Sequence, residues 1–465
     1  MAKRINPEAG KIQFIWEGIL KWMTFALGCL HIVLSLLRYY DADLRLTGLK
    51  IEKWTLIILA AAVIAYVLYT KFREPRLMFR IQNFTKGLFK PELKILAVLF
   101  FWYVLCVLSA NETYTANFWQ LNDTMLFDTA ISFFVLFTFG YLFRGDSGRR
   151  PIEIFFYVLT ALLTAAMIYV LFTVLKPAVI TLPAGGQIGM GKHRGTLRLF
   201  INCHPNTTGA IAELVLMICV YFAVTKKGIV RWLYVAAAAV HYVILILSDS
   251  RTCLVSTAVT LGILTVFGLS RKIKEKKLLK KLLIVVLAGV VCGGLILFLR
   301  QFVRSGYEAV SHFSTYTGVD SAATMGEIEA TTNDRSGLWK GAFQSAFSSV
   351  RNAFFGMTPA GVISEIKKWT GRELYTHNQF CEVLVSNGVP GMLMYLAWLV
   401  LIAKACIETL SGKNKDSFKG IEVFIGMIFM MVIANLMEAT LMYYHWFPEE
   451  MFFLLCGFVT YRECL

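Results

Sequence analysis

Charge is scarce in this chain: 16% of its 465 residues are Asp, Glu, Lys or Arg, against 57% hydrophobic. That balance excludes a soluble protein of ordinary composition, and no stretch of average composition is long enough for a separate soluble domain. Metal-site patterns are missing as well. The ten cysteines (29, 106, 203, 219, 253, 292, 381, 406, 456 and 464) are scattered, mostly within apolar runs, with no Cys-x-x-Cys pair or ligand spacing. They read as small buried residues. The basic start, Met1 to Gly18, leads into an apolar stretch without a small-residue cleavage site, so a retained first span is expected. No internal repeat is present, and charged residues deep within spans are not evident. Both features would mark a transporter built from duplicated halves.

What is present is apolar length. Runs at 17–37, 54–70, 95–110, 125–143, 152–175, 209–225, 232–247, 252–269, 282–299, 389–408, 421–440 and 448–461 approach or reach the length needed to cross about 30 Å of hydrocarbon. The expected fold is all-α, a polytopic transmembrane helical bundle of about twelve spans. Residues 1–299 hold the first nine spans, 300–388 a long extracytoplasmic loop with short helices, and 389–465 the last three. The net charge of +16 comes from lysines and arginines gathered mainly in short loops, above all 71–94 and 271–281. Loops 111–124 and 442–449 contain none. The asymmetry puts both termini in the cytoplasm and stretches 176–208, 248–251 and 300–388 outside. It also points to membrane lipids, not nucleic acid, as the partner of the positive charge.

Three outer stretches carry candidate chemistry. In 376–391, Thr376 and Gln379 fit a capping box, Asn387-Gly388 with Pro390 supplies a stop, and His377 falls at the first helical position. A neutral histidine at the positive end of a helix suits general-base work beside an anion. Arg251, after the N-cap candidate Ser250, and Arg335, after Asn333-Asp334, begin helices at the end where a cation is disfavoured unless an anion is near. Asp249 and Asp334 are available as local partners. The third stretch runs from Lys192 to Asn206, where Arg194 and Arg198 could face a lipid head group or a substrate phosphate. His193 and His204 read as local hydrogen-bonding residues. Between these stretches, 333–350 is expected to be helical, with Leu338, Trp339, Phe343, Phe347 and Val350 on one face. The segment before it, around Ser305-Gly306, reads as flexible. Glu438, inside the eleventh run, is an intramembrane acid placed to orient a catalytic group.

Four pieces in this order, Arg198…His204-Pro205-Asn206, Ser250-Arg251, Arg335-Ser336-Gly337-Leu338-Trp339 and His377-Asn378…Asn387-Gly388-Val389-Pro390-Gly391, resemble the O-antigen ligase and polymerase family of bacterial membrane glycosyltransferases. The resemblance is strongest over residues 190–400. It implies an enzyme of the bacterial cytoplasmic membrane with its site on the extracytoplasmic face. Such an enzyme moves a glycan from an undecaprenyl-diphosphate-linked donor to a glycan or lipid acceptor, with no metal, nucleotide or other cofactor. Carried over, His377 acts on the acceptor hydroxyl, Arg251 and Arg335 hold the diphosphate, and Arg198, Arg194, Asn378 and Glu438 line the substrate site. The motifs do not separate polymerase from ligase; the reading leans to polymerase. A polysaccharide or lipid transporter is the rival.

Overall fold

The computed structural model describes residues 22–34, 36, 54–55, 57–65, 90–110, 118–141, 150–174, 180–181, 187–193, 196–201, 205–272, 278–310, 335–411, 419–443 and 447–460. The described chain is mostly helical. The helices that bear on the site are α1 (Trp22–Leu34), α2 (Pro91–Leu108), α3 (Leu121–Tyr141), α4 (Arg150–Thr173), α5 (Pro205–Thr225), α6 (Gly228–Leu247), α7 (Arg251–Lys272), α8 (Leu278–Val310), α9 (Arg335–Ala346), α10 (Val350–Phe355), α11 (Pro359–Thr370), α12 (Gln379–Leu410), α13 (Ile421–Ala434) and α14 (Phe447–Thr460). Seven helices are long and apolar enough to cross a membrane, those at 91–108, 121–141, 151–173, 205–225, 228–247, 251–269 and 379–410. The apolar helices at 22–34, 289–303 and 421–434 are shorter.

Burial sorts the spans. In α5, 78% of the apolar window is enclosed by the rest of the molecule, against 28% in α6. α5 is therefore the central post. Its Tyr221 and Phe222 pack with Tyr157 and Phe424, and around them Trp398 stacks on Phe453 from α14. Peripheral helices turn large side chains outward, among them Phe172, Ile229 and Phe298. In a bilayer such positions meet lipid, which costs nothing.

Two expectations change. The fold is not purely helical, because a three-stranded antiparallel sheet lies in the chain between α4 and α5: β1 (Ile180–Thr181), β2 (Gln187–His193) and β3 (Thr196–Ile201). Ile188 pairs with Ile201 and Met190 with Leu199, and these four form the sheet's buried face. Ile188 with Met190 and Leu199 with Ile201 recur at period two, a signal blurred by Gly189 and the apolar Phe200 between them. The second change is at Ser305-Gly306, which lies within α8, helical through Val310.

Residues 335–370 form three short helices, α9 to α11, and α9 uses a different face from the expected one. Leu338 and Ala342 join a small core with Met357, Val362, Ile366, Cys381 and Val385, while Phe343, Phe347 and Val350 are exposed. Small residues Gly341, Ala342, Ser345 and Ala346 form the buried side, which lets the backbones approach closely.

One helix break positions the site. Inside α12, Gly388 has φ 67° and ψ −173°, so the first nine residues form a half-helix ending at Asn387. Carbonyls left without helical partners at such an end need donors from elsewhere. Met357 N donates to Val385 O (2.7 Å), Thr358 N to Ser386 O (2.8 Å) and Trp102 Nε1 to Asn387 O (2.8 Å). Gly356 (φ 69°) and Gly388 meet backbone to backbone: a Cβ on Gly356 would sit 2.5 Å from Ser386 O, and one on Gly388 2.3 Å from Phe354 O. Only glycine fits either position.

Candidate active site

The half-helix starts two residues later than the sequence suggested. Asn378, not Thr376, is its N-cap: Asn378 Oδ1 accepts from Phe380 N (2.9 Å) and Cys381 N (3.1 Å). Thr376 instead sends its N–H (3.1 Å) and hydroxyl (2.7 Å) to Glu382 Oε2. His377 is thereby pushed out of the helix into a left-handed turn, φ 50°. Non-glycine residues adopt that conformation at a cost, and such strain is concentrated at functional sites.

The partner of this turn is the loop after α13. Glu438 lies beyond the helix, which ends at Ala434, and not within a span as expected. Three hydrogen bonds fasten this loop to the start of α12: Gln379 N to Asn435 O (2.9 Å), Leu441 N to Gln379 Oε1 (2.9 Å) and Asn378 Nδ2 to Leu436 O (2.9 Å). Inside the loop, Thr440 N and its hydroxyl both donate to Asn435 Oδ1 (2.7 and 3.1 Å). Asn378 thus spends both ends of its amide on scaffold.

Glu438 is the point where the elements meet. Its Oε2 contacts His377 Nδ1 at 3.1 Å, and its Oε1 accepts from Asn206 Nδ2 (2.9 Å) and Arg335 Nη2 (3.2 Å). Arg335, the first residue of α9, also donates through Nη1 to Met437 O at 2.5 Å. A carboxylate on Nδ1 fixes the tautomer with the proton there, and leaves the Nε2 lone pair as the base. The His377 side chain is 20% exposed, so a substrate can reach it. Tyr375 lies against the imidazole with ring centroids 4.2 Å apart. Burial, then the nearby Glu438 and Glu382 carboxylates, push the Tyr375 phenol well above its ordinary range, with Arg335 pulling the other way.

Arg251 opens α7 and is exposed; among the described residues it forms no ion pair. Its expected local partner looks elsewhere. Asp249, buried and in a left-handed turn (φ 49°), contacts Arg198 from β3 at 3.6 Å and Arg300 from α8. One aspartate therefore gathers two arginines beside a third. The start of α7 is tied to the start of α5 by Cys253 Sγ to Asn206 O (3.9 Å). A cavity of about 50 Å³ runs between these elements, and Asn206, Glu213, Cys253, Tyr375, Asn435 and Glu438 are among its walls.

The structure thus joins His377, Arg335, Asn378 and Glu438 in one constellation, with Arg251 on the helix start next to it and Arg198 linked to the turn before that helix. Arg194, His204 and Asp334 lie outside the described residues. Sequence reasoning missed Arg300, Asn206 as a partner of Glu438, and Glu213, an acid two turns inside α5 that the rule for intramembrane carboxylates would have flagged.

No curated protein matches the chain. Residues 238–396 match the family model described as O-antigen ligase, a segment that contains Arg251, Arg335 and His377. This match and the seven helices long and apolar enough to cross a membrane together support a multi-pass membrane protein with a membrane glycosyltransferase-like role in surface polysaccharide synthesis.

Proposed function

We propose that the protein transfers a glycan from an undecaprenyl-diphosphate-linked donor to an acceptor hydroxyl at the outer face of the bacterial cytoplasmic membrane. The observation that carries this reading is the double grip of Glu438 on His377 and Arg335. A base for the acceptor and a cation for the leaving group are set by one carboxylate. His377 Nε2 takes the hydroxyl proton as the oxygen attacks the anomeric carbon. The bond from that carbon to the diphosphate oxygen breaks, and its electron pair stays on the phosphate. Arg251, which has no protein anion among the described residues, and the remaining donors of the Arg335 guanidinium meet the charge that grows there. Arg198, and Arg194 with it, supply further positive charge toward the lipid diphosphate. Asn378 shapes the turn that aims His377.

The acceptor is most simply a second lipid-linked repeat, which makes the activity a polymerase. A transporter without chemistry would find a use for the intramembrane Glu213 but gives the histidine and carboxylate pair no task. Purified protein incubated with a lipid-linked repeat alone distinguishes these. A ladder of longer products supports polymerase, transfer only after a lipid or other acceptor is added supports ligase, and no product in either case overturns glycosyl transfer. The outer location is tested with Glu373→Cys and Lys227→Cys, both exposed positions. An impermeant thiol reagent on intact cells should label the first and spare the second.

A further inference from the structure

Glu213 is 2% exposed within the most enclosed span, yet it borders the same cavity as Glu438. Its Oε2 accepts from Ser256 Oγ (2.6 Å) and Thr257 Oγ1 (3.3 Å), both on α7. An acid at this depth is costly unless it has a task. The transfer reaction sets one: the acceptor proton taken by His377 must leave before the next turnover.

We infer that Glu213 is the proton-accepting end of a relay that runs from His377 through Glu438 across the cavity that both carboxyls line. The inference rests on the transfer reading above. When Nε2 gains the acceptor proton, the Nδ1 proton moves to Glu438 Oε2, so the imidazole is neutral again. A proton left on Glu438 weakens the charge-assisted contact with Arg335. On Glu213 it disturbs no ion pair in the contacts described, because Ser256 and Thr257 are neutral. The space between is adequate: about 50 Å³ holds a few waters at roughly 10 to 15 Å³ each, and Asn206, Asn435 and Thr440 provide polar partners for them. The titratable wall groups other than the two carboxyls are Cys253 from α7 and Tyr375. α13 contributes Met431, Ala434 and Asn435, and α14 contributes Pro448. Arg335 and His377 stand behind Glu438. No bond is made or broken in the relay except those to the moving protons: once product leaves, Nε2 gives the acceptor proton to solvent and the proton held on Glu213 returns through Glu438 to Nδ1, which restores the resting tautomer.

The test uses the full chain with a lipid-linked repeat as substrate, and follows kcat against pH. Glu213→Gln keeps a hydrogen-bonding side chain of the same size and removes the ionisation. The relay predicts an acid limb governed by two ionisations in the unmutated protein and by one in Glu213→Gln, with kcat lowered roughly 10- to 100-fold. Glu213→Asp should retain both ionisations. An unchanged profile and rate in Glu213→Gln would overturn the relay and leave Glu213 as a hydrogen-bonding strut between α5 and α7. Infrared difference spectra against pH give a second readout that needs neither turnover nor the Gln variant. A titrating carboxyl band that shifts in Glu213→Asp and changes in Glu438→Gln supports the relay, and its absence counts against it. Failure of the unmutated protein to make any product would instead strike the transfer reading.

Discussion

Two buried carboxylates flank α5, one at each end, and they have been put to different uses. At the C-terminal end Glu153 receives the Tyr221 hydroxyl at 2.6 Å and Lys226 at 3.4 Å, and Lys226 lies 5.1 Å from the Tyr157 ring centre. All the partners sit on or directly after regular helices, and the cluster ties α4 to α5. At the N-terminal end Glu438 also has a cation and a hydrogen-bond donor, but its cation is a planar guanidinium, its third partner is a histidine, and both sit on chain ends or irregular turns beside a cavity. A carboxylate with a cation is thus no signature of function by itself. What sets the Glu438 cluster apart, and supports the role proposed for it, is a strained backbone, a group able to exchange protons, and room beside it.

Removing the reactive group should break that contrast most sharply. His377→Ala is expected to lower transfer about 10²- to 10⁴-fold while the protein still folds and binds donor, since the base acts on the acceptor. Retained turnover would reduce the Glu438 cluster to a strut like the Glu153 one. Arg251→Lys and Arg335→Lys come next. Each keeps the charge but loses the two-pronged donor, so turnover should fall by roughly one to two orders of magnitude, and undecaprenyl diphosphate should compete more weakly. Lysine variants with normal turnover and affinity would rule out a diphosphate clamp. Tyr375→Phe should change little in shape of profile: its phenol, held above the ordinary range by burial, stays protonated at working pH, so the alkaline limb of kcat should not move. A shifted limb would make the phenol a participant. Smallest for activity is Glu153→Gln, which should leave transfer unchanged and lower thermal stability by about 1 to 3 kcal/mol through the weakened contact to Lys226. Lost transfer there would erase the distinction between the two ends.

Much of this was legible in the chain. The apolar runs located most of the long helices to within a few residues, because span length is a constraint of the bilayer rather than of tertiary packing, while α8 and α12 run on into more polar sequence at one end. His377, Arg251 and Arg335 stood out because each is a cation or base at a helix start. The misses have physical causes. Asn378 takes the cap from Thr376 because its side chain reaches two backbone N–H groups at once. The strands of 180–201 were masked because Gly189 and the apolar Phe200, not polar residues, separate their buried positions, and the basic run 192–198 links them. Arg300 falls at the edge of an apolar run, where an arginine is ordinary, and its role depends on Asp249, 51 positions away. Asn206 and Glu438 are 232 positions apart, and neither local pattern announces the other.

The central claim is that Glu438 makes the base and the clamp one unit. A double-mutant cycle on transfer rate, with His377→Ala, Glu438→Gln and the two combined, tests it most directly. If Glu438 serves both side chains, Glu438→Gln should cost more activity in the parent than once His377 is gone, where only its grip on Arg335 is left to lose, so the double variant falls well short of the product of the single losses. Losses that multiply fully would contradict the account, because each side chain would then be contributing independently of the other.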